Sequence, residues 1–452
     1  MLNLKFNYII DMDVEISKFL KDSANKNSAI KVLGKKKDKI IECIIIYILL
    51  FLVILLMIII NALYHWFDKY IFTSTNINNN QNNFFLDYYI DENDKMKSLI
   101  EGQNFFNLCI KGELIYNIPS IEEINENPLI SVVIPVYNTG DKIKGVVRSA
   151  QNQNISNIEI ILVNDCSNEE TYNAIKVLQK EDKRIFHINN KKNRGTLYSR
   201  CIGTLKAKGK YIFPLDNDDL FFDENLFYII TNEAENGNFD IVEFRGASRE
   251  IYDQPPKQFI NTNYSNHQHG LILYQPELGQ YARKRGNQYG VYDCFLWAKC
   301  IRSEIYKSTI NYIGKRIYSH NIIWGEDLII SFVLFRVAKS FKFIGRYGIF
   351  RYLNTSTATY HTPEKMIAFS KIIYLYIILK FTENNYIDKQ YASFRAIGFI
   401  KSFQNLNLGN KNFIYLRKIV KSILANEYIY ISDKNKIESC FQKISSLYHK
   451  IL

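Results

Sequence analysis

Along this chain the spacing of apolar positions changes several times, and the changes outline its elements. Residues 130–138 form a β-branched run ending in a turn. Residues 158–163 and 184–188 repeat that pattern, and residues 211–215 are a fourth short apolar run bounded by turn residues. Between them, residues 141–153, 169–179 and 195–208 read as helices; in the first, Ile143, Val146, Val147 and Ala150 share one face. Strands alternating with helices of this length predict an α/β fold, a Rossmann-like, mostly parallel sheet with helices on both faces. Beyond Met366 the spacing is helical: Leu416, Ile419, Val420, Ile423 and Leu424 keep it, as do Ile437, Phe441, Ile444, Tyr448 and Ile451.

The N-terminal part follows a different rule. Residues 43–64 carry no charge and are dominated by Ile, Leu, Val and Phe, with Asn61 as the one polar break. At 1.5 Å per residue the run spans about 33 Å, enough for a bilayer core of about 30 Å. Lys35-Lys36-Lys37-Asp38-Lys39 precedes it, so the positive-inside rule puts the N-terminus in the cytoplasm and the rest across the membrane, with Tyr64 and Trp66 at the interface. The long leading segment argues for a retained signal anchor over a cleaved signal peptide. The expected organisation is a basic cytoplasmic tail (1–39), a transmembrane signal-anchor helix (40–64) and a stem (65–127) containing an Asn-rich spacer and a helix near 93–101. An α/β domain (128–362) and a basic helical C-terminal region (363–452) follow.

Composition narrows the function classes. Hydrophobic content of 47% and charged content of 23% suit a globular protein. The formal charge of +12 gathers at the two ends, with nine lysines against five acids in residues 1–39 and fourteen Lys/Arg against six acids in residues 364–452. The central fold is near neutral and lacks the basic stripe that nucleic acid would require, so no nucleic-acid partner is expected. The cysteines Cys43, Cys109, Cys166, Cys201, Cys294, Cys300 and Cys440 show neither zinc nor Cys-x-x-Cys spacing, which leaves their pairing open.

The candidate chemistry lies just after the strands. Tyr137-Asn138, Asn164-Asp165, Asn193-Arg194-Gly195 and Asp216-Asn217-Asp218-Asp219 all follow predicted strands, where open α/β sheets bind ligands. Three carboxylates so close repel one another unless a cation or a proton offsets them. A divalent metal held there can in turn hold a phosphate. The competing reading is a solvated acidic turn, with Asp219 as the N-cap of a following helix.

These pieces together resemble a family 2 glycosyltransferase of the GT-A type over roughly residues 128–359. Val132-Val133-Ile134-Pro135-Val136-Tyr137-Asn138 is similar to that family's first strand. Val163-Asn164-Asp165-Cys166-Ser167 resembles its Val-Asp-Asp-Gly-Ser. Asn193-Arg194-Gly195 through Ser199-Arg200, then Gly209-Lys210-Tyr211, resembles Asn-x-Gly…Ala-Arg-Asn…Gly-x-Tyr. Leu215-Asp216-Asn217-Asp218-Asp219 resembles Leu-Asp-x-Asp-Asp, Trp297-Ala298-Lys299 resembles Trp-Asn-Lys, and Glu326-Asp327 the family's Glu-Asp element.

The resemblance implies metal-dependent, inverting transfer of a sugar from a nucleotide-diphosphate donor, a UDP-sugar, to an acceptor hydroxyl on a glycan, glycoprotein or glycolipid. Asp216 and Asp218 would hold Mn²⁺ or Mg²⁺. Pro135, Tyr137, Asn138, Asp165, Arg200 and Asp216 would contact the nucleotide-sugar. Asp327 would be the general base with Glu326 beside it, although both residues can also simply start the apolar helix 328–335. Arg200 would face the diphosphate or pair with Asp165, and Trp297 and Lys299 would shape the acceptor side. His361 and the loop 354–359 would close over the donor, with an ordinary surface histidine as the competing reading. Asn164, Cys166, Glu169 and Cys201 depart from the family pattern; Asn164, Cys166 and Cys201 motivate a second reading, a membrane-tethered sugar- or nucleotide-binding protein without activity. The sequons at Asn154, Asn263 and Asn354, with the predicted orientation, fit a single-pass type II enzyme whose catalytic domain lies in the Golgi lumen.

Overall fold

The computed structural model describes residues 127–448, apart from residues 222, 250–268, 286–287, 290–293, 353–361, 383–385, 406–407, 427–428 and 430. All of these belong to one compact unit, Tyr88–Leu452. The expected membrane span 40–64, the stem helix near 93–101, the loop 354–359, His361, and the sequons at Asn263 and Asn354 lie outside the described residues. Among the described residues, no helix is long and apolar enough to cross a membrane.

The first half is a regular α/β alternation. It runs β1 (Ile130–Val136), α1 (Lys142–Gln151), β2 (Ile158–Asn164), α2 (Glu169–Glu181), β3 (Ile185–Asn189), α3 (Thr196–Lys206), β4 (Tyr211–Pro214), β5 (Leu220–Phe221), α4 (Leu226–Asn236) and β6 (Ile241–Arg249). Then come β7 (Ile272–Tyr274), α5 (Glu277–Tyr281), a β8–β9 ribbon (Lys284–Arg285, Gln288–Tyr289), β10 (Lys299–Arg302), α6 (Ser303–Ile313), α7 (Lys315–Tyr318), α8 (Glu326–Val337) and β11 (Ser340–Tyr352). Four helices follow: α9 (Glu364–Phe381), α10 (Tyr386–Ser402), α11 (Gly409–Ala425) and α12 (Ile431–Leu447).

The main sheet has the order β3-β2-β1-β4-β10-β6-β11-β5, with β7 also on β11. Strands β3, β2, β1 and β4 are parallel, β10 enters antiparallel between β4 and β6, and β11 runs parallel to β6. Because side chains of a strand alternate faces, one sheet divides the core in two. Val132, Ile134 and Val136 of β1 face α1, α2 and α4. Val133, with Ile161 and Val163 of β2, faces α3, α6 and α8. Gly203 lets α3 lie on that second face, since a Cβ there would meet the side chains of Val133 and Val163.

The C-terminal helices extend the second core. Phe332 of α8 stacks on Tyr391 of α10 at 5.7 Å and meets Tyr374 of α9 edge-on at 5.9 Å. The Tyr374 and Tyr391 hydroxyls share a hydrogen bond of 2.7 Å. In α8, seven consecutive residues from Ile329 to Phe335 are buried, so this helix has no solvent face over that stretch. Asp388 of α10 is fully buried in ion pairs with Arg283, just after α5, at 2.5 Å and with Arg336 of α8 at 2.9 Å.

Two stability outcomes follow from these buried pairs. Replacing Asp388 with Ala leaves two guanidiniums facing each other in a closed space, and is expected to lower unfolding free energy in urea by about 3–5 kcal/mol. Asp182 is fully buried beside Arg184, which donates to it at 2.8 Å, and Gln151, which donates at 2.7 Å. Burial alone would raise its pKa, but the bonds from Arg184 and Gln151 outweigh that and hold the carboxyl below its ordinary value of 3.8. A depressed folded-state pKa contributes stability that is present above the unfolded value and lost as pH falls through the folded one. The Asp182→Asn variant should therefore show a flatter loss of stability below about pH 4 than the wild type in acid titrations followed by circular dichroism.

Candidate active site

The site forms at the carboxyl ends of the parallel strands, where pairing sets Val136 beside Asn164 and Val133 beside Pro214. Three turns emerge on that edge. After β1, Tyr137 is half exposed and Asn138 takes a left-handed conformation at φ 49°. Its Oδ1 accepts from the Asn168 backbone at 2.8 Å, and its own N–H donates to Ser167 at 3.1 Å, which ties this turn to the one after β2. Pro135 is buried within β1. After β4, Asn217 reaches back to Thr139 at 2.5 Å, so the third turn is linked to the first.

Asp165, at the end of β2, is buried and accepts three hydrogen bonds: Asn190 at 2.7 Å, the Arg194 N–H at 2.8 Å and the Gly195 N–H at 2.7 Å. The last two are backbone donors at the head of α3, so the carboxylate satisfies groups that a helix start leaves open. Arg200 does not pair with it. A carboxylate has roughly four acceptor positions, and three are used here.

Arg200, one turn into α3, is 1% exposed and is the hub of the acidic residues. Its Nη2 donates to Asp216, and its Nε lies 3.6 Å from Glu326 and 3.8 Å from Asp327. Burial opposes its charge, but Asp216, Asp327 and Glu326 overcome that and raise its pKa above the ordinary guanidinium value. Glu326 and Asp327 occupy the first turn of α8, behind Gly325 at φ 70°. Negative charge is favoured at that end of a helix. These acids start the helix, and they also face Arg200. Burial first, then the neighbouring Asp327 charge, push the Glu326 carboxyl up to about 8.

The segment before α8 crosses the head of α3. Leu197 N–H donates to the Ile322 carbonyl at 3.1 Å. Gly195 sits at φ 87°, and a Cβ there would fall 2.5 Å from Asn321 Oδ1 and 2.8 Å from the Ile322 backbone. This contact, with Asn190, was not foreseen from sequence. The Asn-x-Gly motif marked the glycine, but nothing local to it names residues 321–322 as the reason.

Asp216, Asp218 and Asp219 bring ligand oxygens within 4.8 Å of one another, the one group of this kind among the described residues. Asp216 and Asp218 are partly exposed and Asp219 is buried. An all-oxygen set of this kind fits a hard divalent cation such as Mg²⁺ or Mn²⁺, and the crowding of negative charge gives it a reason to bind. Asp219 caps no helix, since strand β5 follows it directly. Trp297 and Lys299 do not reach the acceptor side. Trp297 is buried against Gly246 in the turn just before β10, and Lys299, the first residue of β10, is buried in an ion pair with Glu243 at 2.8 Å.

The departures from the family pattern are accommodated locally. Asn164 accepts from Ser167 N–H at 3.0 Å and donates to Asn189 at 2.9 Å. Cys166 takes the left-handed conformation, φ 62°, that a glycine would adopt more easily. Glu169 opens α2 behind the N-cap Asn168, whose side chain accepts from Thr171 N–H at 3.1 Å. Cys201 is fully buried on the sheet face of α3.

Comparison with known proteins finds several similarities. The model for glycosyl transferase family 2 matches residues 131–309. The uncharacterized glycosyltransferase EpsJ of Bacillus subtilis is 26% identical over 242 residues, 53% of this chain and 64% of that protein. An uncharacterized glycosyltransferase of Rickettsia bellii is 42% identical over 105 residues, 23% of this chain and 15% of that protein. The chain thus spans less than two thirds of these relatives. The crystal structure of S. aureus TarS 1–349 in complex with UDP-GlcNAc aligns at a TM-score of 0.49 with 12% identity, over 71% of this chain and 91% of that one. Residues 131–309 of this chain are a glycosyl transferase family 2 domain.

Proposed function

We propose that this protein transfers a sugar from a UDP-sugar to a hydroxyl of a glycan or glycoconjugate, with inversion at the anomeric carbon. The observation that carries the reading is the convergence on Arg200: one buried guanidinium contacts Asp216 of the acidic cluster and both Glu326 and Asp327 at the head of α8. The acids assigned to the donor and to the acceptor are thereby gathered around one guanidinium. The acceptor position left on Asp165 suits the imide N–H of uracil. Tyr137 and Asn138 form the turn beside it, after Pro135 within β1, where the nucleotide belongs in an open α/β sheet.

Asp218 and Asp216, with Asp219 behind them, would hold the divalent cation, which would neutralise charge building on the departing diphosphate. Asp327 takes the proton of the acceptor hydroxyl from the side opposite the leaving group, which is the geometry of inversion. Glu326, whose proton is held more tightly than that of an ordinary carboxyl, orients the base and the acceptor. The charge-free run 43–64 and the basic block ahead of it support a single-pass anchor. The far side of a Golgi membrane is then the compartment where nucleotide-sugar meets this domain.

Release of nucleoside diphosphate from a panel of nucleotide-sugars, with Mn²⁺ or Mg²⁺, tests the activity. Wild-type protein should turn over at least one donor, and Asp218→Asn and Asp327→Asn should each lower turnover by about 100-fold or more. Absence of turnover with every donor would replace this reading with the binding-protein one. Sidedness is tested separately. Asn154 is exposed and opens an Asn-Ile-Ser sequon, so native protein should shift on deglycosidase treatment, and Asn154→Gln should remove one step of that shift. Cleavage of the domain by protease added to sealed microsomes would place it in the cytoplasm instead.

A further inference from the structure

Arg200 lies between two groups of carboxylates with little access to solvent. Its Nη2 is taken by Asp216, while its Nε and Nη1 are buried and make no hydrogen bond. The Nε contacts to Glu326 and Asp327, at 3.6 and 3.8 Å, are ion-pair distances, too long for hydrogen bonds. The guanidinium is thus only partly used by its acidic neighbours. On the other side, Asp216 shares a 4.8 Å cluster with Asp218 and Asp219. One oxygen of the residue best placed to join the two groups is already committed to an internal cation.

We propose that Arg200 is a built-in counter-cation that competes with the divalent metal for Asp216, so that metal alone binds weakly and Asp216 passes to it only when a nucleotide diphosphate adds its own oxygens. This rests on the metal-dependent reading above and adds a positioning role to it. With donor absent, Asp216 stays on Arg200, and Asp218 and Asp219 alone face the cation. A fixed positive charge within a few ångströms also repels a dication directly, an effect on the order of tenfold or more in affinity at the effective dielectric of a partly buried site. When the diphosphate arrives it supplies negative charge and ligand oxygens, and transfer of Asp216 to the metal becomes favourable. The freed Nη2 then turns to Glu326, Asp327 or the diphosphate itself.

The test is calorimetric titration of the full chain with Mn²⁺ alone and with Mn²⁺ in the presence of UDP. Arg200→Met should bind Mn²⁺ alone about tenfold more tightly than wild type, and should lose most of the gain in metal affinity that UDP gives the wild type. Its metal-free thermal midpoint should fall, with a larger rise on adding Mn²⁺ than the wild type shows. The double variant Arg200→Met with Asp216→Asn removes both charges of the pair, so it serves if the single variant does not fold. It should bind Mn²⁺ alone within about threefold of wild type, because wild-type Asp216 is withheld from the metal. Unchanged or weaker Mn²⁺ binding in Arg200→Met overturns the inference, as does a tenfold loss in the double variant. Either result leaves the transferase reading standing if wild type still binds Mn²⁺ with UDP. Absence of Mn²⁺ binding by wild type with UDP overturns both.

Discussion

A single buried positive charge determines how the acids of this protein can be arranged. Asp216 stands at the tip of a central strand and Glu326 and Asp327 at the start of a helix more than a hundred residues later, yet all three point at Arg200. Carboxylates do not gather in a half-buried space unaided, because like charges at short range cost several kcal/mol each when poorly solvated. Arg200 lowers that cost from inside the protein. It does so from one turn into α3, a helix whose own start is held by Asp165. The chain of dependence therefore runs from a β2 turn, through a helix head, to the two acidic groups.

Glycine and left-handed turns give that arrangement its precision. Asn138 and Cys166 both adopt positive φ immediately after β1 and β2, which turns the chain sharply and leaves the strand ends open. Gly195 permits residues 321–322 to lie directly on the head of α3. The same crossing delivers Glu326 and Asp327 to Arg200, so an atom added at Gly195 would be felt at acids far along the chain. Asn tolerates the left-handed conformation better than most residues with a Cβ, whereas at Cys166 it carries a local cost on the order of 1–2 kcal/mol.

Much of this was legible in the sequence because it is local. The β1–α1–β2–α2–β3–α3–β4 alternation follows from period and turn residues, and each strand found falls within about a residue of its apolar run. The acidic tip after β4 and the Glu-Asp pair were visible as motifs for the same reason. What could not be read depends on long-range packing. Trp297 and Lys299 looked like acceptor-side residues, but the turn before β10 packs Trp297 on Gly246, and the antiparallel strand itself pairs Lys299 with Glu243. Asp219 looked like a cap, but the chain continues into a strand on β11. Arg200 was expected to face the diphosphate or pair with Asp165, but its partners are Asp216 after β4 and Glu326 and Asp327 of α8. No spacing rule connects residue 200 to residue 326; only the crossing at Gly195 does.

The burial of α8 on every side between Ile329 and Phe335 carries a consequence for how the molecule is divided. Part of the shell around that helix is supplied by α9 and α10, which lie beyond the stretch shared with family 2. A fragment trimmed to residues 131–309 would lack the helix that carries Glu326 and Asp327. One ending after β11 would expose a greasy cylinder to water, where it would drive self-association instead of folding. The folded body is thus larger than its recognisable motif, and the C-terminal helices are structural members of it, not removable decoration.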